Sequence, residues 1–357
     1  MKRILTLSAG LVLSGIMVNA TVRTVSNHPQ HPAQYTSINT AIQSSNPGDT
    51  VLVFGSGWNY SYGNVTIDRK IVLIGAGYNN PNGDLSRIGT LNFDAGTFYS
   101  SHSYVAGFYI ENMYYYGEGG AAKLLEGIVV ERCRLQYIIF YHDVLYRNDT
   151  IRNCLIAGSY IYFYDYLGGS PYENIQIHNN IFDNEYIRAY NTSYNLDSVY
   201  FRNNVFVNRK APNRVFSDTR WLTMENNIFF AAEPQGCTEC AFNNNLTYLN
   251  DNDTLDSDGN PGSIGSGNLT GKNPNFTDYP PAGGGFSYDQ DLHVGYGPAQ
   301  TGGTDGTPMG IYGGMLPFEP GLNPPIPQMT EISFPGNASS VKVGGSLNVT
   351  FKAKKQD

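Results

Sequence analysis

A six-residue pattern of apolar and polar positions recurs along the middle of the chain. An apolar residue is followed by polar positions centred on asparagine or cysteine, and then by further apolar residues. The copies begin at Val130, Ile151, Ile177, Phe201, Met224 and Phe242. Their spacings are 21, 26, 24, 23 and 18 residues, which fits one solenoid coil per copy, whereas an α-solenoid needs about 30 or more. The β-branched and aromatic residues around asparagine predict strands, so we expect an all-β, right-handed parallel β-helix.

The second position of the pattern should point outward, because successive side chains of a strand point to opposite faces. Stacking the copies places Glu131 over Arg152 and Arg202 over Glu225. We interpret this column either as an exposed stripe of salt bridges worth little energy, or as a polar line along which an extended ligand lies. Its residues are Glu131, Arg152, His178, Arg202, Glu225 and Asn243.

The fourth position of the pattern predicts a structural ladder. Asparagine tolerates the positive φ of a tight bend, and coils stacked about 4.8 Å apart let each side-chain amide donate to the next. We expect these side chains to satisfy buried polar groups rather than to carry chemistry. The column consists of Cys133, Cys154, Asn180, Asn204, Asn227 and Asn245.

The four cysteines fall into two pairs. Cys133 and Cys154 occupy neighbouring rungs of the same column, and we favour buried free thiols there over a bridge, because parallel side-chain vectors suit a disulfide poorly. Cys237 and Cys240 are expected to form a local disulfide in an exported protein. Zinc is not expected, since there is no second cysteine pair and no histidine nearby.

The chain before and after the repeat shows different patterns. Apolar residues at helical spacing between Tyr35 and Ser45 predict a short amphipathic helix that caps the first coil. Residues 250–290 are expected to be loop-like, and Met309–Tyr312 to close the last coil. Residues 317–328 are a Pro-rich spacer before a short β segment at 329–357. Strands are predicted at Val51–Phe54, Ile71–Ile74, Val105–Ile110, Ser340–Val343 and Leu347–Phe351.

Tyrosines are concentrated in the first half of the repeat. The alternation of Tyr160, Tyr162 and Tyr164 with apolar residues predicts a strand whose tyrosines share one outward face. Such a face suits sugar rings, although packing within the solenoid is the competing interpretation. Other tyrosines in this region are Tyr114, Tyr115, Tyr116, Tyr137, Tyr141, Tyr146, Tyr166, Tyr186, Tyr190 and Tyr194.

Composition and the N-terminus indicate an exported protein. Lys2 and Arg3, an apolar run from Ile4 to Val18 and a small-residue site ending at Ala20 predict a signal peptide over residues 1–20. The body of the solenoid then spans residues 21–316. The formal net charge of −8, without a basic run, disfavours nucleic acid as a partner. No membrane span is expected after cleavage.

The sequence resembles the pectin-lyase-like superfamily, and in particular secreted β-helix proteins of Bacteroidetes-type bacteria. The matching parts are Tyr35–Ile42, Pro47–Val53, the Asn-Asn coils and Gly297–Gly314. The resemblance implies the fold, but this fold hosts lyases, hydrolases, esterases and proteins without catalytic activity. Hydrolases of the superfamily use clustered aspartates with a Gly-His motif, and this chain has no Asp-Asp pair and no Gly-His dipeptide.

Lyases of this superfamily neutralise an acidic sugar with calcium or basic side chains and use a Lys, Arg or His base. The weak candidates for such chemistry are Arg202, Arg209, Lys210, Arg214, Arg220 and His178.

Calcium remains possible near Asp251–Asp253 and Asp256–Asn260, although an EF-type pattern is absent and no metal site is assigned. We expect an exported protein, periplasmic, extracellular or on the cell surface, that binds polysaccharide through Tyr160, Tyr162, Tyr164 and Arg202 without catalysis. A lyase acting on an acidic glycan and a structural or adhesin-like surface protein remain the alternatives.

Overall fold

A computed structural model describes most of the chain from residue 20 onward. The described ranges are 20–57, 59–79, 84–96, 100–116, 123–141, 144–164, 171–189, 196–255, 259–319, 328–333 and 349–354. The signal-peptide prediction, most of the predicted spacer, the run Ser340–Val343 and Tyr166, Tyr190 and Tyr194 lie outside these residues.

The regular secondary structure of the described chain consists almost entirely of short strands. One helix, α1, spans Ile38–Gln43, and one 3-10 turn spans Pro298–Gln300. The first strands are β1 Val22–Val25, β2 Thr50–Val53, β3 Asn64–Ile67, β4 Val72–Ile74, β5 Arg87–Asp94, β6 Tyr104–Ala106, β7 Tyr109–Tyr116, β8 Lys123–Glu126, β9 Val129–Glu131, β10 Arg134–Phe140, β11 Val144–Arg147, β12 Thr150–Arg152, β13 Leu155–Phe163, β14 Tyr172–Glu173 and β15 Ile175–His178. They continue as β16 Ile181–Asp183, β17 Tyr186–Ala189, β18 Val199–Arg202, β19 Val205–Arg209, β20 Phe216–Ser217, β21 Thr219–Arg220, β22 Thr223–Glu225, β23 Ile228–Ala232, β24 Cys237–Thr238, β25 Ala241–Asn243, β26 Leu246–Tyr248, β27 Phe276–Asp278, β28 Asp291–Val294, β29 Gln328–Ser333 and β30 Thr350–Lys354.

The strands stack into a parallel β-solenoid of about eight turns, consistent with a right-handed β-helix, so the predicted fold class is confirmed. Sheet 1 has the order β1-β2-β4-β6-β9-β12-β15-β18-β22-β25. Sheet 2 runs from β3 through β5, β7, β10, β13, β16, β19 and β23 to β26, with β17 and β20 beside this path. Shorter sheets, such as the three-stranded β8-β11-β14 and the two-stranded β21-β24, form the third side of the coils.

The six-residue pattern stacks in register as the sequence predicts. Ile151 pairs with Val130 on one side and with Ile177 on the other, and all three point into the core. The column beside them carries the expected ion pairs, since Arg202 Nε lies 2.7 Å from Glu225 Oε2. Arg152 pairs in the same way with Glu131, whose side chain is buried rather than exposed.

The asparagine ladder is the column Asn180, Asn204, Asn227, Asn245 and Asn268. Asn180 Nδ2 donates to Asn204 Oδ1 at 3.1 Å, and Asn204 Nδ2 donates to Asn227 Oδ1 at 3.0 Å. The same oxygens also accept the backbone N–H of the preceding rung at 2.9 Å. Buried amide groups are thus satisfied from coil to coil.

The positive φ that the sequence assigned to the ladder belongs instead to the residue before it. Asn179, Asn203, Asn226 and Asn244 have φ between 52° and 58°. Each Asn-Asn pair therefore divides two tasks: the first residue makes the left-handed bend, and the second carries the ladder. We call the first residues, Asn179, Asn203, Asn226 and Asn244, the left-handed column.

The solenoid continues past the last repeat that the sequence predicted. Ala241 pairs with Ile264 and Leu246 with Leu269, both in parallel, within the region expected to be loop-like. Asn268 adds a further rung, because Asn245 Nδ2 donates to its Oδ1 at 3.3 Å. The prediction of a loop over 250–290 is therefore wrong for this partial coil and for the antiparallel pair β27–β28.

A second hydrophobic core lies outside the solenoid, on sheet 2. Its floor is a row of outward aliphatic residues, and its roof is residues 276–319, which we call the covering segment. Met309 and Ile311 are each 1% exposed in this core. The prediction that Met309–Tyr312 closes the last coil is wrong, because the segment lies along the side of the solenoid. The floor consists of Leu155, Ile181, Val205, Ile228 and Leu246.

The left-handed column holds the covering segment by its backbone. Asn179 Nδ2 donates to the carbonyls of Ile311 and Gly313 at 2.8 and 2.9 Å. Asn244 Nδ2 donates to the Gly302 carbonyl at 2.8 Å. Asn226 Oδ1 accepts the Thr304 N–H at 2.9 Å, so three of these four asparagines bind different parts of one extended segment.

The cysteines occupy two settings. Cys133 and Cys154 are buried and free, and burial raises the pKa of the Cys154 thiol. Cys237 and Cys240 are joined by a disulfide with a Cα–Cα distance of 6.0 Å.

The two ends of the described chain differ in how they pack. Helix α1 buries Ile38, Ala41 and Ile42 and contacts β1, β2 and β3. Strands β29 and β30 form a separate antiparallel pair. None of the helices in the described part of the chain is long and apolar enough to cross a membrane.

Candidate functional site

The outward face of sheet 2 carries tyrosines on four neighbouring strands. On β13, Ile161 and Phe163 are at most 1% exposed and point inward, so Tyr160 and Tyr162, which alternate with them, point outward. Register then aligns Tyr160 with Tyr137 and with Tyr186 on the adjacent strands. The residues that we call the tyrosine face are Tyr114, Tyr116, Tyr137, Tyr141, Tyr160, Tyr162, Tyr164 and Tyr186.

The rings of the tyrosine face contact one another across coils. Tyr160 lies edge-on to Tyr137 at a centroid distance of 5.2 Å and to Tyr162 at 5.9 Å. Tyr162 in turn contacts Tyr164 at 5.3 Å, and Tyr164 contacts Tyr141 at 6.3 Å. Edge-to-face pairs are a favoured aromatic geometry, so the face is a continuous and ordered apolar surface with hydroxyl groups.

The two ends of this face differ in charge and polarity. Towards the N-terminal coils, the outward positions are amides and hydroxyls such as Asn92 and Asn112, together with the Asp94 carboxylate. Towards the C-terminal coils, the Arg188 guanidinium lies 5.6 Å from the Tyr162 ring centroid and that of Arg209 lies 4.7 Å from the Tyr186 centroid. The open aromatic surface therefore lies between an acidic and a basic end.

The other basic candidates do not converge on this face. Arg202, on sheet 1, pairs with Glu225 and donates to Gln176 Oε1 at 2.7 Å. Arg220, on β21, pairs with Glu239 at 2.7 Å. The positive charge of each arginine is therefore largely neutralised by its neighbouring glutamate.

The loop after β19 holds the remaining basic candidates. Lys210 Nζ donates to the Ala282 carbonyl of the covering segment at 2.9 Å. Arg209 donates from Nε to the Arg214 carbonyl, and the Arg214 side chain is exposed. Of the candidates for binding an anionic sugar, only Arg209 touches the tyrosine face.

His178 is held as a structural side chain. Its Nδ1 lies 2.8 Å from Asn179 Oδ1, and burial lowers its pKa, with Arg152 and Arg202 acting in the same direction. The imidazole is therefore neutral near pH 7. It lies on sheet 1, away from the tyrosine face of sheet 2.

Glu185 is a buried carboxyl that sequence reasoning missed, because no motif surrounds it. It is 1% exposed and lies directly before Tyr186. Its Oε1 accepts the backbone N–H of Ser159. Burial raises the pKa of Glu185 to about 8, although the Ser159 and Gly158 N–H groups and Arg209 oppose this.

The acidic loop considered for calcium is organised by Glu233 in its described part. Glu233 accepts the N–H groups of Asp251 and Asn252 at 3.0 and 3.1 Å. Within the described ranges no group of three His, Cys, Asp or Glu side chains could hold a metal ion. Residues 256–258 of the second acidic run lie outside those ranges.

No family model matches the chain, and no curated protein is significantly similar to it.

Proposed function

We propose that this protein is an exported β-helix that binds polysaccharide through the tyrosine face and does not cleave it. The observation that carries the proposal is the presence of eight outward tyrosines on four adjacent coils of one sheet. Tyrosine offers a rigid apolar face for a sugar ring and a hydroxyl for its rim, at little cost in side-chain entropy. The resemblance to pectin-lyase-like proteins supports the same class of ligand.

An extended ligand suits this surface better than a small one. The tyrosines repeat at each coil, so equivalent rings follow one another at the strand spacing of about 4.8 Å. Each further sugar unit along the solenoid axis would meet a similar set of groups. Binding would then accumulate over several modest contacts rather than at one deep pocket.

The charges favour binding over lyase chemistry. A lyase that acts on an acidic sugar needs a group of cations to neutralise the sugar carboxylate and an unpaired base to remove a proton. Arg202 and Arg220, in contrast, are each paired with a glutamate. Arg188 also lies 3.9 Å from Asp218. The tyrosine face itself contributes aromatic and hydroxyl groups, which bind neutral rings without transferring a proton.

The proposal is tested with the chain from residue 21 and a screen of immobilised polysaccharides, followed by titration calorimetry on each hit. The double variant Tyr160→Ala and Tyr162→Ala removes the centre of the face and should weaken binding about tenfold or more. Tyr296→Ala is the matched control, because Tyr296 is 94% exposed and lies outside the face. Equal affinity of the double variant and the control would overturn the site.

The absence of cleavage is tested separately. Each bound polysaccharide is incubated with the protein, and new reducing ends and unsaturated products are measured. Neither should form. Cleavage that Arg209→Ala abolishes would contradict the proposal and favour a lyase.

A further inference from the structure

A cleft of about 440 Å³ opens at the acidic end of the tyrosine face. This volume is within the range of small-ligand sites. The cleft lies on the outward side of sheet 2 where β3, β5, β7 and β10 end. Its lining consists of Thr66, Asn92, Asp94, Tyr114, Tyr116 and Tyr141.

Three aromatic rings form the walls of this cleft. The Tyr141 ring is nearly perpendicular to that of Tyr114, at 89° and 5.7 Å between centroids. It is also nearly perpendicular to that of Tyr116, at 86° and 5.8 Å. At these angles the three rings turn both faces and edges towards the cleft. The face of a phenol ring carries negative potential and attracts a cation.

The charge in the cleft has one sign. Asp94 is the only ionised side chain among its described lining residues, and Asp94 Oδ1 accepts the Gly96 N–H at 2.8 Å. Asp94 Oδ2 has no hydrogen-bond donor within the described ranges. Burial raises the pKa of Tyr114, so this phenol is neutral at physiological pH and adds no charge to the cleft.

We infer that this cleft binds an organic ammonium group between the three tyrosine rings and the Asp94 carboxylate. A carboxylate ligand would be repelled by Asp94, and a neutral ligand would leave the charge of Asp94 without compensation. An ammonium group would form an ion pair with the carboxylate and cation–π contacts with the rings. If the tyrosine face binds a glycan as proposed above, the ligand is a glycan that carries amino sugars.

The ammonium group could belong to an amino sugar or to a free alkylammonium compound, and the test separates these sources. Titration calorimetry compares a glucosamine hexasaccharide with its fully N-acetylated counterpart at mildly acidic pH, where sugar amines are protonated. The two probes match in length and linkage and differ at the sugar nitrogen, which carries a positive charge in one and a neutral acetyl amide in the other. We expect the amino form to bind about tenfold more tightly. Tetramethylammonium is titrated as the free cation.

Asp94→Asn keeps the acceptor for the Gly96 N–H and removes the charge. This variant should abolish the preference for the amino form and leave the affinity for the acetylated form unchanged. Asp94→Glu should retain most of the preference, and Asp278→Asn, at an exposed aspartate on β27, should retain all of it. Thermal melting confirms that each variant is folded.

Equal binding of the two hexasaccharides to the unmodified protein, with no effect of Asp94→Asn, would overturn the ammonium site. Failure of both hexasaccharides to bind, with tetramethylammonium binding that Asp94→Asn abolishes, would support the site and reject the glycan proposal. Loss of both hexasaccharides in the Tyr160→Ala, Tyr162→Ala variant, with tetramethylammonium binding retained, would support both.

Discussion

The outward side of sheet 2 is divided into a covered half and an open half. At the start of its strands, Val205 and Ile228 lie under the covering segment at 0% exposure. Further along β13, Tyr160 and Tyr162 remain partly accessible. The row from Leu155 to Leu246 that the chain itself covers is aliphatic, whereas the row of Tyr137, Tyr160 and Tyr186 further along the strands is left to solvent. An aliphatic outward row thus accompanies coverage by the chain itself, as expected for a large apolar surface.

The covered half should respond most strongly to a cavity. Met309→Ala removes a side chain that is 1% exposed and should cost about 2–5 kcal/mol in the free energy of unfolding, measured with urea. Met315→Ala is the matched control, because Met315 is 95% exposed in the same segment. Similar losses in both variants would mean that the segment does not pack on sheet 2 as described.

The ladder supports both halves and should show the next largest effect. Asn204→Leu removes an interior rung, so the Asn180 side-chain amide and backbone N–H lose the Asn204 Oδ1 acceptor that they share, and Asn227 Oδ1 loses one of its two donors. We expect a loss of about 1–3 kcal/mol in thermal or urea unfolding. Asn64→Leu, at an exposed position of β3, should stay within about 0.5 kcal/mol of the unmodified protein. An unchanged melting temperature in Asn204→Leu would argue that this column is not a buried ladder.

The boundary between the halves should show a smaller, pH-dependent effect. Glu185 has its pKa raised to about 8 from an ordinary value of 4.5, so the folded state binds its proton more tightly than the unfolded state does. The stability from this group is complete below the ordinary value and is lost as the pH rises towards 8.

The unfolding free energy of the unmodified protein should therefore fall between mildly acidic and mildly alkaline pH. In Glu185→Gln this fall should be smaller by about 1 kcal/mol or more. Urea titrations at several pH values measure this slope. Glu173→Gln, at an exposed carboxyl, is the control and should leave the slope unchanged. A Glu185→Gln slope identical to that of the unmodified protein would show that this carboxyl is solvated.

The sequence was most informative where the structure is periodic. The six-residue pattern predicts the coils and the column of Asn180, Asn204 and Asn227, because each coil repeats the same contacts. The assignment of positive φ failed by one residue, since both residues of an Asn-Asn pair tolerate the bend and only backbone geometry separates them. The outward alternation of Tyr160 and Tyr162 was predicted, because a strand period of two needs no tertiary information.

The remaining features depend on contacts that have no sequence period. The covering segment is held largely by its backbone carbonyls and by separated apolar residues such as Met309, so its sequence looks like a loop. Asp94 enters the cleft only because sheet register brings β5 beside β7. The partial coil around Asn268 was missed because it lacks the Asn-Asn pair.

The left-handed column also affects how freely the covering segment can diverge in evolution. Its amides bind the carbonyls of Gly302, Ile311 and Gly313, groups that every amino acid possesses. Substitutions at exposed positions such as Met315 should therefore accumulate without loss of attachment. Glycines of the segment are exceptions, and Gly313 is the clearest, because a Cβ there would lie 1.8 Å from the Pro308 carbonyl oxygen. Among related chains we expect a segment of conserved course, with invariant glycine and buried apolar positions and otherwise unconstrained sequence.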